Sequence, residues 1–251
     1  MSEWSQKRPL NDPARPVALG RLWGVGVGPG DPELVTVKAY RILKECPVIA
    51  YPKKRSGSNS YALEIVELYV DSSKKTMLGL IFPMTKNQNE LTAMWQQTAN
   101  QVWEPLARGQ DVAFVTEGDP MLYSTFIHLA RILNEQHPGV EIQSVPGISS
   151  INAAASRFGV ALADGDETVA IVPARDDPNL LREVLMQHDS VVFIKVAKMM
   201  NQLLDVLAEL NLTSRAMVAT KLTSGEEQVW RHVEELRGSE LNYLSLMVVR
   251  K

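Results

Sequence analysis

Three glycines within five residues, Gly26, Gly28 and Gly30, separate an apolar run from an amphipathic one, and this junction limits the fold more than any other feature. The segment reads Val25-Gly26-Val27-Gly28-Pro29-Gly30-Asp31-Pro32-Glu33-Leu34-Val35-Thr36. Residues 21–27 have the continuous apolar character of a short buried strand. Downstream, Val35, Ala39, Ile42 and Leu43 have the spacing of a helix face, which ends before Pro47. Glycine lacks a Cβ and tolerates positive φ, so the chain turns sharply and leaves room for a flat or bulky group. In such a unit the default ligand site is the carboxyl end of the strand. Counting excludes two familiar phosphate motifs. A dinucleotide fingerprint begun at Gly24 or Gly26 needs a third glycine where the chain has Pro29 or Asp31, and no Gly-Lys-Ser/Thr ending follows. Phosphate is therefore not the favoured ligand, and a tight turn with no ligand stays open as the alternative.

The alternation continues. Apolar runs at 48–51, 77–82, 111–116 and 141–145 are further strand candidates, and five strands with intervening helices predict an open, mostly parallel α/β sheet. Helices are expected over 90–108, with Gly109 as the stop, and from Ser149 to Gly159. The polar stretch 163–167 reads as a linker. Strands near 168–172, 190–195, 216–221, 227–231 and 243–249 follow, the last three with short connections, so the second sheet is expected to be mixed. The organisation read from the chain is a flexible tail over 1–19, an N-terminal α/β domain over 20–162 and a C-terminal α/β domain over 163–251. The cleft between two such domains is a natural ligand site.

Composition removes several classes of function. With 45% hydrophobic and 22% charged residues and a formal net charge of −3 over 251 residues, nothing suggests a nucleic-acid surface or a disordered body. No stretch approaches the roughly 20 apolar residues of a membrane span, and the first residues, with Pro9, Pro13 and Pro16, lack a signal peptide's apolar core. The single cysteine, Cys46, reads as a buried small hydrophobe, and without a disulfide framework a cytoplasmic location is expected. His128, His137, His188 and His232 have no ligand-like spacing, so no protein-held metal is expected. The five tryptophans are dispersed and read as packing residues.

Two more loops carry chemistry. Glu117-Gly118-Asp119-Pro120-Met121-Leu122-Tyr123-Ser124 follows the strand at 111–116, and Pro146-Gly147-Ile148-Ser149-Ser150 follows the strand ending at Val145. Three strand-end loops of Gly, Pro and small polar residues can converge on one ligand. Singly each is weak evidence: Gly-Asp-Pro is also an ordinary turn whose Asp119 caps the next helix.

In this order the motifs resemble the tetrapyrrole (precorrin) methyltransferases, through residues 26–36, Gly118-Asp119-Pro120, Val145 to Ser150 and Val172-Pro173-Ala174. Within that family Glu117 before Gly-Asp-Pro, the run Tyr123-Ser124-Thr125-Phe126, and Ala163-Asp164-Gly165-Asp166-Glu167 are most similar to the precorrin-2 (or cobalt-factor II) carbon-20 methyltransferases. The resemblance implies two α/β domains with S-adenosyl-L-methionine in the cleft between them, a homodimer, and a place in cobalamin synthesis. Carried over by position, the cofactor residues are Pro29, Glu117, Gly118, Asp119, Leu122, Ser149, Ser150, Ala174, Ile194 and Thr223.

The implied chemistry suits these residues. S-adenosylmethionine brings an activated methyl, is released as S-adenosylhomocysteine, and chiefly needs to be aligned with its acceptor. Glu117 and Tyr123 are the candidate catalytic residues, to take a proton from the macrocycle or to stabilise charge on it. A tetrapyrrole bears many carboxylates, so an acidic chain needs a local basic rim. Lys53, Lys54 and Arg55 are the candidate substrate-binding residues, with Lys86, Arg175, Lys195 and Lys198 after other strands, and for each the alternative is a solvated loop charge. The expected activity is methylation of carbon 20 of precorrin-2 or its cobalt-containing counterpart. The alternatives are methylation at another ring position or of another acceptor, or a non-catalytic tetrapyrrole or S-adenosylmethionine sensor.

Overall fold

A computed structural model describes residues 18–55, 57–82 and 88–251. Residues 1–17 of the expected tail, and Lys86, lie outside the described residues. The order is β1 Leu22–Gly26, α1 Val37–Glu45, β2 Val48–Lys53, α2 Tyr61–Val66, β3 Thr76–Ile81, α3 Gln88–Ala107, β4 Val112–Thr116, α4 Phe126–Gln136, β5 Ile142–Val145 and α5 Ser150–Phe158. A second set follows: β6 Val169–Pro173, α6 Pro178–Gln187, β7 Ser190–Ile194, α7 Met200–Glu209, β8 Ala216–Thr220, β9 Gln228–Trp230 and β10 Ser245–Arg250.

The first five strands form a wholly parallel sheet in the order β3-β2-β4-β1-β5. Both faces are covered, as the continuous apolar runs require. Leu22, Val48, Ala50, Val112 and Phe114 point one way, onto Val102 and Leu106 of α3 and Phe126, Leu129 and Leu133 of α4. Their neighbours Trp23, Val25, Ile49, Ala113 and Val115 point the other way, onto Ala39, Ile42 and Leu43 of α1 and Ile65 of α2. Cys46 belongs to that second layer, and burial pushes its thiol up to about 12, so it packs as an inert hydrophobe.

The glycine turn leads into α1 through two caps. Asp31 accepts from the N–H of Glu33 at 2.8 Å, starting a short 3-10 turn over Pro32–Leu34, and the Thr36 hydroxyl accepts from Ala39 N–H at 3.2 Å. Adjacent strands β1 and β4 are thus followed by helices on opposite faces of the sheet, which opens a crevice beyond their carboxyl ends.

The second sheet has the order β6-β7-β10-β8-β9 and is mixed: β6 and β7 are parallel, and the remaining pairs are antiparallel. The last strand, β10, is inserted centrally between β7 and β8. Val191, Phe193, Val218, Met247 and Val249 pack on α6 and α7. The opposite face, with Val192, Met217, Ala219, Leu246 and Val248, takes Ile151, Ala154 and Phe158 of α5. Helix α5, entered straight from the first sheet, is therefore a core element of the second layer. Full burial of a side chain such as Ile151 or Phe158 contributes about 1.5–3 kcal/mol, which ties the two units together. Gly159, at φ 70°, ends α5 with a left-handed cap. Among the described residues no helix is long and apolar enough to cross a membrane.

Candidate functional site

The three strand-end loops meet, and backbone makes the joint. Gly118 N–H donates to the Gly28 carbonyl at 2.8 Å, and Gly28 N–H returns a longer bond to Gly118 at 3.4 Å. Gly118 (φ 63°) and Gly28 (φ 82°) are both left-handed. The third loop packs beneath: a Cβ on Gly147 would lie 2.1 Å from the Gly118 carbonyl oxygen, and one on Gly26 would lie 2.6 Å from the same atom. Only glycine admits this approach.

Asp119 fastens the joint and does not cap a helix. Its Oδ1 accepts from Met121 N–H at 2.8 Å and its Oδ2 from Gly147 N–H at 3.1 Å, while α4 begins only at Phe126. The buried Ser124 hydroxyl bonds Thr116 Oγ1 at 2.9 Å and accepts from Phe126 N–H at 3.1 Å, fixing the far end of this loop to the end of β4.

The second unit closes over these loops. Asp31 N–H donates to Thr223 Oγ1 at 2.9 Å, and a Cβ on Gly30 would lie 2.6 Å from the Leu222 carbonyl oxygen. Tyr61, from α2, donates its hydroxyl to the Pro29 carbonyl at 3.3 Å, and burial raises its phenol above the ordinary range. The open cavity between them is about 530 Å³, within the range of a ligand site.

Of the expected site residues, Pro29, Lys53, Lys54, Glu117, Gly118, Asp119, Leu122, Tyr123, Ser149, Ser150 and Ile194 all line this cavity. Ala174, Thr223 and Arg55 do not. The backbone N–H of Ala174 is taken by the Ile194 carbonyl at 2.9 Å, and Thr223 spends its hydroxyl on the glycine turn. Arg55 belongs to an exposed turn closed by Ser58, whose hydroxyl donates to its carbonyl at 2.8 Å. Of the other basic candidates, Lys195 lines the cavity and Arg175 and Lys198 do not. Lining residues without a sequence signal include Tyr61, Leu222 and the run Asn242 to Leu246, brought in by packing alone.

Glu117 and Tyr123 differ in setting. Burial raises the Glu117 carboxyl above its usual range, against a smaller opposing pull from its own backbone N–H and from Lys54. Tyr123 is half-exposed, with its hydroxyl 3.5 Å from the Ile171 carbonyl of β6. Strain gathers here as well. Of the five non-glycine residues with positive φ among those described, Tyr123, Lys195 and Lys221 line the cavity and Thr223 touches the glycine turn, so four of the five surround one cleft. Among the described residues no cluster of His, Cys, Asp or Glu could hold a metal ion.

Fold and site define a two-domain α/β protein whose ligand cleft is walled by strand-end loops of the first sheet and roofed by the second unit. The chain belongs to the Tetrapyrrole (Corrin/Porphyrin) Methylases, whose pattern matches residues 21–236. It is 35% identical over 232 residues to a probable cobalt-precorrin-2 C(20)-methyltransferase of Methanocaldococcus jannaschii, covering 92% of this chain and 96% of that protein. Against the cobalt-precorrin-2 C(20)-methyltransferase of Salmonella typhimurium the identity is 32% over 233 residues, covering 92% and 97%. The uroporphyrin-III C-methyltransferase of Thermus thermophilus, solved in complex with S-adenosylhomocysteine, superposes with a TM-score of 0.61 at 23% identity, covering 92% of this chain and 98% of that one. At that identity the likeness speaks for the fold.

Proposed function

We propose that this protein transfers a methyl group from S-adenosylmethionine to carbon 20 of precorrin-2 or of its cobalt-containing counterpart. The observation that carries the reading is the joint of three loops at the crevice of the first sheet, in a chain similar over nine-tenths of its length to C(20)-methyltransferases.

The lining fits the cofactor. Leu122, Ile194, Leu222 and Leu246 offer an apolar slot for a flat base, while Glu117, Ser149 and Ser150 offer polar groups to a ribose and an amino acid. S-adenosylmethionine supplies a methyl group already activated on its sulfonium. What the chain adds is alignment, and the glycine joint makes that alignment rigid. Glu117, with its proton affinity raised by burial, is suited to hold or accept a proton beside the macrocycle, and the Tyr123 hydroxyl to donate a hydrogen bond to it. Lys53 and Lys54 give the rim positive charge for substrate carboxylates. The reading extends to a homodimer in the cytoplasm.

The deciding experiment offers metal-free and cobalt-loaded precorrin-2 with S-adenosylmethionine, follows product mass, and assigns the methylated carbon by NMR. One methyl at carbon 20 with matching release of S-adenosylhomocysteine is expected. A methyl at another carbon, or binding without turnover, overturns the reading.

A further inference from the structure

Two lysine–tyrosine pairs cross the cleft in opposite senses. Lys54, of the first sheet's loops, has its Nζ 5.5 Å from the ring centre of Tyr243 in the second unit. Lys195, at the end of β7 in the second unit, has its Nζ 5.7 Å from the ring centre of Tyr123 in the first. All four residues line the cavity, and the tyrosines are 49% (Tyr123) and 44% (Tyr243) exposed. Among the described residues neither lysine makes a direct ion pair: Lys54 acts on the Glu117 carboxyl only through space, whereas Lys221 on the same rim is paired with Glu226 at 2.6 Å.

Backbone geometry singles out the Lys195 pair. Lys195 sits at φ 59° and ψ 36°, and its partner Tyr123 at φ 54°. The turn that leaves β7 would be unstrained with glycine, yet a long cationic side chain occupies it. Retained strain of this kind clusters where a side chain must be aimed, and here it aims an ammonium and a ring at each other across the entrance. A cation on the face of a half-exposed ring is held weakly, whereas charge-assisted hydrogen bonds to a carboxylate are stronger and directional. The ring therefore parks the charge without committing it.

We propose that Lys195 is a substrate-binding residue: its ammonium leaves the Tyr123 ring and takes a carboxylate of the tetrapyrrole, opposite Lys54, so that each domain contributes one cation to the macrocycle. This rests on the acceptor class proposed above. Release of the cation uncovers the flat face of Tyr123, on which a macrocycle can lie.

The test uses uroporphyrin III, a stable carboxylate-bearing macrocycle, titrated by fluorescence at low and high salt into wild-type protein, Lys195→Met and Lys195→Arg. S-adenosylhomocysteine binding is measured by calorimetry on the same samples. Lys195→Met is expected to weaken porphyrin binding about tenfold and to flatten its salt dependence, with Lys195→Arg restoring most of both and cofactor affinity held within about twofold. Equal porphyrin affinity in wild type and Lys195→Met overturns the assignment, as does a wild type that binds no porphyrin. An equal loss of cofactor affinity also overturns it, since the cleft itself would then be disturbed. Methyl transfer to precorrin-2 by wild type, followed separately, judges the proposed function, because porphyrin binding reports on Lys195 without turnover.

Discussion

The carboxylate of Asp119 joins two loops that are 28 residues apart in the chain, accepting the N–H of Gly147 on one oxygen while the other holds the N–H of Met121. Both oxygens are used, each on a donor. Asparagine is therefore not a conservative replacement, because its amide nitrogen would face one of these N–H groups.

Asp119→Asn is expected to cost about 1–3 kcal/mol, the penalty for leaving a donor unmet, which lowers the unfolding midpoint by several degrees. Affinity for S-adenosylhomocysteine should fall about tenfold as the loops loosen. Calorimetry reads both, and a variant matching wild type would show that the loops hold without this bond.

Glycine positions at the joint should respond unequally. A Cβ at Gly147 meets the Gly118 carbonyl oxygen at 2.1 Å, so Gly147→Ala is expected to exceed the usual overpacking cost of about 1–3 kcal/mol and to fold poorly. At Gly118 the nearest protein atom is 3.8 Å away, so Gly118→Ala carries only left-handed strain, about 1–2 kcal/mol, and folds with altered ligand affinity. Circular dichroism and thermal melts of the two variants test the order. The reverse ranking would refute the packing argument.

Glu117 sets a pH dependence whose sign is fixed by linkage. Its folded pKa lies above the ordinary 4.5 because burial disfavours the charge, so the folded chain holds this proton more tightly than the unfolded one. Stability must then decline as pH rises from the unfolded value through the folded one. Glu117→Gln is expected to melt higher than wild type at neutral pH and to show a flatter profile above about pH 5. Parallel profiles for the two proteins would contradict the burial of a carboxylate here.

Thr223 offers a test of the roof over the glycine turn. Valine keeps the branched shape at φ 65° but cannot accept from Asp31 N–H. Thr223→Val is expected to cost about 1–2 kcal/mol and to weaken cofactor binding, while Thr223→Ser stays near wild type. If the valine variant binds and melts like wild type, the hydroxyl does not hold the two units together.

What the chain determines by itself is local. Apolar runs and helix-spaced faces mark the strands and helices because side-chain periodicity acts within a few residues, and Gly26, Gly28, Gly118 and Gly147 mark the turns because glycine takes their φ without strain or fits their contacts. Eleven of the expected site residues line the cavity for that reason: each stands at the end of a strand or on the turn that follows one. Tertiary structure decided the rest. Asp31 and Thr223 are 192 residues apart, β10 enters its sheet between strands that precede it, and α5 turns its apolar face to the second sheet and not to the one it leaves. No short-range rule ranks such pairings, because a hydrogen bond or an apolar face is satisfied equally well by many partners, and the choice is made by the collective packing of both cores.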